Sequence, residues 1–129
     1  MIRIAVLDDY AENAKDLADW DSIPDAEIVY FRDHVSEPDA LVKMLQGFDV
    51  VQMMRERTPF PANVIERLPD LKLLSGTGGR HPHVDMDAAT RLGIPVTNTS
   101  GSSGVGAGGP TMELAWGLII GATRHIPWE

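Results

Sequence analysis

Cysteine is absent from the 129-residue chain, and its absence excludes a whole group of functions. Without cysteine there is no disulfide, no thiolate nucleophile and no cysteine-ligated zinc or iron–sulfur site. Basic residues are also scarce, since 11 Lys and Arg stand against 19 Asp and Glu, for a net charge of −8. So acidic a chain is poorly suited to the phosphates of nucleic acids or to anionic membrane surfaces. We therefore expect no nucleic-acid partner and no membrane partner.

Long apolar runs are missing as well. The opening run, Met1–Leu7, meets two aspartates at once and is too brief for a secretory signal. The longest later run, Leu114–Ala122, is about half of the roughly 20 residues that a membrane-spanning helix needs. These features predict a cytoplasmic protein.

What the sequence does contain is a regular alternation of short apolar runs and amphipathic segments. Five runs rich in branched apolar residues predict buried β-strands, at the spacing of roughly 20 to 25 residues that is typical of βα units. Such units build a doubly wound parallel sheet, so the prediction is an α/β fold of flavodoxin-like or Rossmann-like type with flanking helices. The predicted strands are Ile2–Leu7, Ala26–Phe31, Asp49–Met54, Leu71–Ser75 and Ile94–Asn98; the predicted helices are Ala11–Trp20, one capped by Ser36 and ended by Gly47, Pro61–Leu68, Asp85–Leu92 and Pro110–Arg124.

The last of these helices is unusual because it is apolar on nearly every side. Such a helix is normally buried on all sides. In a free domain it would expose an apolar patch of the kind that binds a partner. We expect self-association through Leu114–Ile120, by exchange of the helix between two copies. The chain accordingly divides into a flavodoxin-like domain (1–100), a glycine-rich linker (101–109) and an interdomain or dimerisation helix (110–129).

Ligands of open α/β sheets bind at the carboxyl ends of the strands. Four loops meet that rule here: Asp8–Tyr10, Arg55–Thr58, Gly76–His83 and Thr99–Gly109. Any function should be built from these loops.

Two of the loops suggest an anion site. Arg55 and Arg57 can bind a carboxylate or phosphate bidentately, or can form surface ion pairs with Glu56. The glycines of Gly76–Arg80 can turn backbone N–H groups towards an anion, or can serve only a tight turn. The residues alone leave both pairs of alternatives open.

Three further motifs have simpler explanations. Asp8–Asp9 resembles the acid pair of a phosphoacceptor receiver domain, but the third strand ends without a carboxylate, and Asp9 is more simply a helix cap. His81 and His83 lack a third metal ligand, so no metal site is predicted, and His34 is interpreted as incidental. The GxGxxG pattern within 104–109 lies too far past its strand to be a dinucleotide fingerprint, and indicates a flexible connection.

Four segments of the second half, in order, form a more specific pattern: Leu71–Gly78, Val84–Ala89, Leu92–Asn98 and Glu113–Ile120. This order resembles the D-isomer-specific 2-hydroxyacid dehydrogenases. The resemblance implies a two-domain enzyme that transfers a hydride between a small 2-hydroxy or 2-oxo acid and NAD. It places the cofactor fingerprint and the catalytic Arg, Glu and His beyond residue 129, so we assign no catalytic residue to this chain.

The resemblance also implies where the substrate lies. Arg55 and Thr58 take the positions that line the substrate cleft, and the backbone amides of Gly78, Gly79 and Arg80 those that meet the substrate carboxylate. Gly79 also takes the position near the nicotinamide. The chain departs from the family where Arg80 replaces the expected second glycine of the loop, and Pro82 replaces the expected aspartate.

Two functions follow as hypotheses. The first is a fragment or truncated form of an NAD-dependent D-2-hydroxyacid dehydrogenase, inactive by itself. The alternative is a non-enzymatic flavodoxin-like module that binds an anion or a protein and self-associates through helix 110–124.

Overall fold

The computed structural model describes residues 1–78, 81–99 and 109–126. Its contacts divide the chain into two units, Met1–Thr99 and Ser100–Glu129. The predicted linker 101–109 lies outside the described residues, except that Gly109 begins the final helix.

The first unit is built on five parallel strands in the order β2-β1-β3-β4-β5. This is the flavodoxin-like order, in which β1 and β3 are central neighbours, and it confirms the predicted fold class. The two edge strands are β2 and the two-residue β5. The strands are β1 (Ile2–Val6), β2 (Ala26–Tyr30), β3 (Val50–Met53), β4 (Leu73–Gly76) and β5 (Val96–Thr97).

Four α-helices follow the strands, in the order α1 (Pro38–Leu45), α2 (Ala62–Ile65), α3 (Met86–Arg91) and α4 (Gly109–Thr123). Asp85 caps α3, with its carboxylate accepting from the Ala88 amide at 2.9 Å, as its position predicted. The prediction for α1 was wrong by one residue, because the carboxylate of Glu37, rather than Ser36, accepts from the Asp39 amide.

The predicted helix Ala11–Trp20 was wrong. The segment forms two single 3₁₀ turns, Ala14–Asp16 and Trp20–Ser22. Glu12 adopts a positive φ of 53°, which a right-handed helix cannot contain. The indole Nε1 of Trp20 also donates to the Ala14 carbonyl at 2.7 Å, which supplies this carbonyl with a partner outside helical geometry.

The two faces of the sheet are covered unequally. Helices α1, α2 and α3 all pack on the face that carries Ala5, Val51 and Leu74, and bury the main core there. The opposite face is covered by the segment around Ala14 and Trp20, which packs over β1 and β2.

Over β3 and β4 the second face carries an open, largely apolar depression. Its volume is about 290 Å³, and its lining residues are Ile2, Ile4, Trp20, Ile23, Val50, Gln52, Leu73 and Ser75. Parallel sheets ordinarily have both faces covered. The described residues leave this part of the second face uncovered.

The second unit contributes α4, which is apolar all round. Its large side chains remain more than half exposed, from Ile120 at 51% to Trp116 at 65%. In the part of the chain that the structure describes, no helix is long and apolar enough to cross a membrane.

Candidate functional site

The loops that follow β3 and β4 meet at the carboxyl end of the sheet. The backbone N–H of Arg55 donates to the Thr77 hydroxyl at 3.0 Å, and the Gly78 N–H donates to the Thr99 hydroxyl at 3.0 Å. Two threonine side chains therefore join three strand-end loops. The sequence pattern predicted this juxtaposition, because neighbouring parallel strands end at one edge.

Arg55 occupies an unusual position in this edge. Its φ is +54°, in the left-handed region that a long side chain rarely adopts. Its guanidinium is exposed and forms no hydrogen bond or ion pair with any described residue. A strained backbone that carries an unpaired cation is an arrangement suited to binding an anion.

Asp8 lies at the centre of the neighbouring cluster, at the end of β1. It is 2% exposed, and its carboxylate accepts from the Thr58 hydroxyl at 2.7 Å and lies 2.9 Å from the His34 Nδ1. These partners come from the loops after β3 and β2. Asp8 thus fixes the relative positions of three loops, and the interpretation of His34 as incidental was wrong.

Arg57 is engaged with the same loop. Its Nη1 donates to the backbone carbonyl of Asp8 at 2.9 Å, and its guanidinium lies 4.6 Å from the centre of the Tyr10 ring. Neither Arg55 nor Arg57 pairs with Glu56 among the described contacts. Of the two arginines, Arg57 holds the loop and Arg55 remains available for a ligand.

The structure gives no support to a receiver-type acid pair. Asp8 is occupied by Thr58 and His34, while the Asp9 carboxylate accepts from the backbone amides of Asn13 and Ala14. Asp9 therefore stabilises the start of the following 3₁₀ turn, whose N-cap residue is Asn13, and the helix that Asp9 was expected to cap does not form. Among the described residues, no group of three or more His, Asp or Glu could hold a metal ion.

Two histidines pack against the glycine loop. A Cβ built on Gly76 would lie 2.1 Å from the Cε1 of His81, so only glycine allows the imidazole to rest on this strand. The His81 Nε2 lies 3.0 Å from the Thr97 carbonyl, and the His81 and His83 rings meet edge to face at 5.6 Å. Both His83 nitrogens and the His81 Nδ1 are buried and have no hydrogen-bond partner among the described residues.

Burial, aided by the nearby charge of His81, lowers the pKa of His83 from its ordinary 6.5, against an opposing effect of Glu56. Below 6.5 the unfolded chain then holds more protons than the folded one, so the free energy of unfolding should fall as pH drops through this value, until the folded pKa is passed. We expect His83→Asn to flatten this part of the curve of stability against pH, measured by urea unfolding followed by circular dichroism. An unchanged slope in the variant would contradict the assignment to His83.

The residues assigned by resemblance lie in different situations. Arg55 is exposed, Thr58 is 4% exposed with its hydroxyl donated to Asp8, and the Gly78 amide is donated to Thr99. Gly79 and Arg80 lie outside the described residues. The sequence reasoning missed the Asp8–His34 contact, because its members are 26 residues apart and no local pattern links them.

Comparison with known proteins gives a family match over most of the chain. The model of the D-isomer specific 2-hydroxyacid dehydrogenase catalytic domain matches residues 4–107. A hydroxypyruvate reductase from Blautia hydrogenotrophica is 29% identical over 97% of this chain, and one from Thermotoga maritima is 34% identical over 70%. These alignments cover 37% and 28% of the two relatives, so the chain spans about a third of the length of the curated proteins it matches.

A solved structure is also similar to this chain over nearly its whole length. The phosphoglycerate oxidoreductase from Vibrio cholerae O395 superposes with a TM-score of 0.78 at 35% identity. The superposition covers 98% of this chain and 39% of that one. The similarity therefore extends over both units described above.

Proposed function

We propose that this chain, which belongs to the D-isomer specific 2-hydroxyacid dehydrogenase family, forms the substrate-binding side of an NAD-dependent dehydrogenase. In the complete enzyme the reaction would be hydride transfer between a small 2-hydroxy acid and NAD. The proposal also places the protein in the cytoplasm, as the short apolar runs of the sequence predicted.

The observation that supports the proposal most strongly is the exposed guanidinium of Arg55 in the loop after β3. A 2-hydroxy or 2-oxo acid presents a carboxylate, and a guanidinium that has no partner among the described residues can bind it through two parallel N–H···O bonds. The backbone of Arg55 is held by Thr77, so the cation is tied to the glycine loop after β4. The reacting end of the substrate would thus lie between the loops after β3 and β4.

The remaining site residues are proposed to act around Arg55. Gly78, Gly79 and Arg80 supply backbone amides to the substrate carboxylate, and Thr58 lines the cleft floor while it donates its hydroxyl to Asp8. Because the Gly78 amide is donated to Thr99, this amide must exchange that partner for the ligand. The strength of carboxylate binding is therefore set partly by how readily Thr99 gives way.

NADH would supply the hydride to a 2-oxo acid when bound, NAD would accept it in the reverse direction, and this chain would contribute only the edge of the cofactor site. A Cβ on Gly78, whose φ is +117°, would meet no atom within 4 Å. Open space beside this loop fits a ligand lying against the backbone near Gly79. The chain's own residues would orient the substrate there and would not carry the proton.

The test compares residues 1–129 with the protein expressed from the whole open reading frame. Both are assayed for NADH oxidation with hydroxypyruvate, glyoxylate and pyruvate. We expect turnover by the whole-frame protein and none by residues 1–129. Turnover by the 129-residue chain would overturn the assignment of the catalytic groups to another part of the protein.

The exposure of α4 favours a second function, self-association. Leu114, Trp116 and Leu118 are each more than 60% exposed, which is an unfavourable arrangement for a helix without any polar face. We propose that a second copy covers Leu114–Ile120. A non-enzymatic module that binds an anion and pairs in this way remains the alternative function.

Self-association predicts a dimer that one substitution dissociates. Leu118→Glu introduces a charge into the apolar surface and should give a monomer. Leu17→Glu introduces the same charge at a leucine of the first unit that is 72% exposed, and should leave the dimer intact. Size-exclusion chromatography with light scattering measures both. A wild-type chain that remains monomeric at high concentration would remove this candidate.

A further inference from the structure

We propose that His34, held by Asp8, determines substrate specificity by accepting a hydrogen bond from a hydroxyl group on the carbon next to the 2-oxo carbon. This inference rests on the proposed function, because it takes the Arg55 loop as the place where the carboxylate binds. It assigns a role to a contact that neither the family pattern nor the sequence motifs single out.

The hydrogen bonds around Asp8 determine the tautomer of the neutral His34 ring. An ionised carboxylate can only accept, so the His34 nitrogen that lies 2.9 Å from it must donate. Thr58 donates to the other carboxylate oxygen at 2.7 Å. In the neutral ring, the proton therefore lies on Nδ1, and Nε2 carries a lone pair.

The surroundings leave this lone pair available to a ligand. The His34 side chain is 34% exposed, and its Nε2 forms no hydrogen bond with any described residue. Asp8, by contrast, is buried, so the ring is anchored on its inner side and open on its outer side. A fixed acceptor on an anchored ring is the arrangement that selects for a donor on the ligand.

His34 is also near the proposed carboxylate site through the chain itself. Its Nδ1 lies 3.5 Å from the Thr58 hydroxyl, and Thr58 is three residues after Arg55 in the same loop. A small 2-oxo acid anchored by Arg55 would extend its third carbon along this loop. A hydroxyl on that carbon would meet Nε2, whereas a methyl group would leave the imidazole without a partner.

Two matched variants separate the two ends of the ring. In His34→Asn the amide nitrogen replaces Nδ1, so the bond to Asp8 survives and the acceptor is lost. In His34→Gln the side chain reaches the place of Nε2, so an acceptor survives. Asp8→Asn is a third variant. It should fold, because asparagine tolerates the φ of +56° as aspartate does. Its neutral amide should no longer hold the His34 ring in one tautomer.

In the experiment, hydroxypyruvate and pyruvate are each titrated into every variant, and binding is monitored by NMR chemical shifts. The His34 tautomer is determined from its ring ¹⁵N shifts. The wild type should show the proton on Nδ1 and bind hydroxypyruvate about tenfold more tightly than pyruvate, the effect of about one hydrogen bond. His34→Asn should abolish this preference by weakening hydroxypyruvate alone. His34→Gln should retain most of it, and Asp8→Asn should show a mixed tautomer with a reduced preference.

Two results would overturn the inference while leaving the proposed function intact. One is equal weakening of both acids in His34→Asn, which would indicate a purely structural role. The other is an unchanged preference in that variant. If neither acid binds the wild-type chain, the proposed carboxylate site fails, and the inference about His34 fails with it.

Discussion

Replacing Arg55 with glutamine should lower kcat/KM for a 2-oxo acid by about 100-fold in the protein from the whole reading frame. Two charge-assisted hydrogen bonds of about 1.5 kcal/mol each account for that factor. Because the φ of +54° is unfavourable for arginine, Arg55→Asn should lose as much activity while the fold keeps or gains stability. The measurements are steady-state kinetics and urea unfolding.

Arg91→Gln is the matched control for these variants. It removes the same charge from an exposed arginine that pairs with Glu66 in the described structure, far along the chain from the loop of Arg55. We expect its kcat/KM to equal that of the wild type. If Arg55→Gln loses less than about threefold, Arg55 does not bind the substrate carboxylate.

The largest expected effect on stability comes from Gly76→Ala. The new methyl group would lie 2.1 Å from the His81 Cε1 and 2.5 Å from its Nε2, so the imidazole would have to leave its place and release the Thr97 carbonyl. The methyl group meets only the far end of a side chain that can move aside, so the cost should be about 1–2 kcal/mol, mainly the loss of one hydrogen bond. For a domain of this size the melting temperature, followed by circular dichroism, would fall by about 5 °C.

A double variant tests whether the steric clash is the cause. If Gly76→Ala destabilises by displacing His81, then adding His81→Ala should restore most of the loss, leaving the double variant close to His81→Ala alone. Gly121→Ala is the control, because its Cβ would make only an ordinary contact of 3.7 Å with the Ile126 carbonyl oxygen and lies outside Leu114–Ile120. Additive losses at Gly76 and His81 would contradict the proposed contact.

The strands could be predicted from the sequence because each is a short run of branched apolar residues ended by a polar or glycine residue. The buried core of β1 and the parallel arrangement of the strands both follow from that pattern and the right-handed crossover rule. The capping of α3 by Asp85 was equally local. These features depend on neighbours in sequence, so the sequence alone carries them.

The segment after β1 could not be predicted, because its conformation depends on side chains that reach outside the helical pattern. The apolar spacing of Ala14, Leu17 and Ala18 favoured a helix. Instead the indole of Trp20 bonds to Ala14, and Glu12 adopts a positive φ. Leu17 is left 72% exposed, so its helical spacing buried nothing.

The candidate site, too, could be predicted from the sequence only in part. The position of Arg55 in a strand-end loop was predictable, because the carboxyl edge of a parallel sheet follows from topology. That Arg55 is unpaired while Arg57 is engaged was not, since the choice depends on the Asp8 carbonyl, 49 residues away. The same long separation hid the link from Asp8 to Thr58 and His34.

The open depression on the second face of the sheet has a practical consequence for all of these melting experiments. A cleft of about 290 Å³ lined by Ile4, Val50 and Leu73 is a ready site for the fluorescent dyes that report exposed apolar surface. The folded chain should therefore be bright before heating begins, and a dye-based melting curve would start near its plateau. Such a trace would resemble that of a molten state, although the sheet beneath is intact.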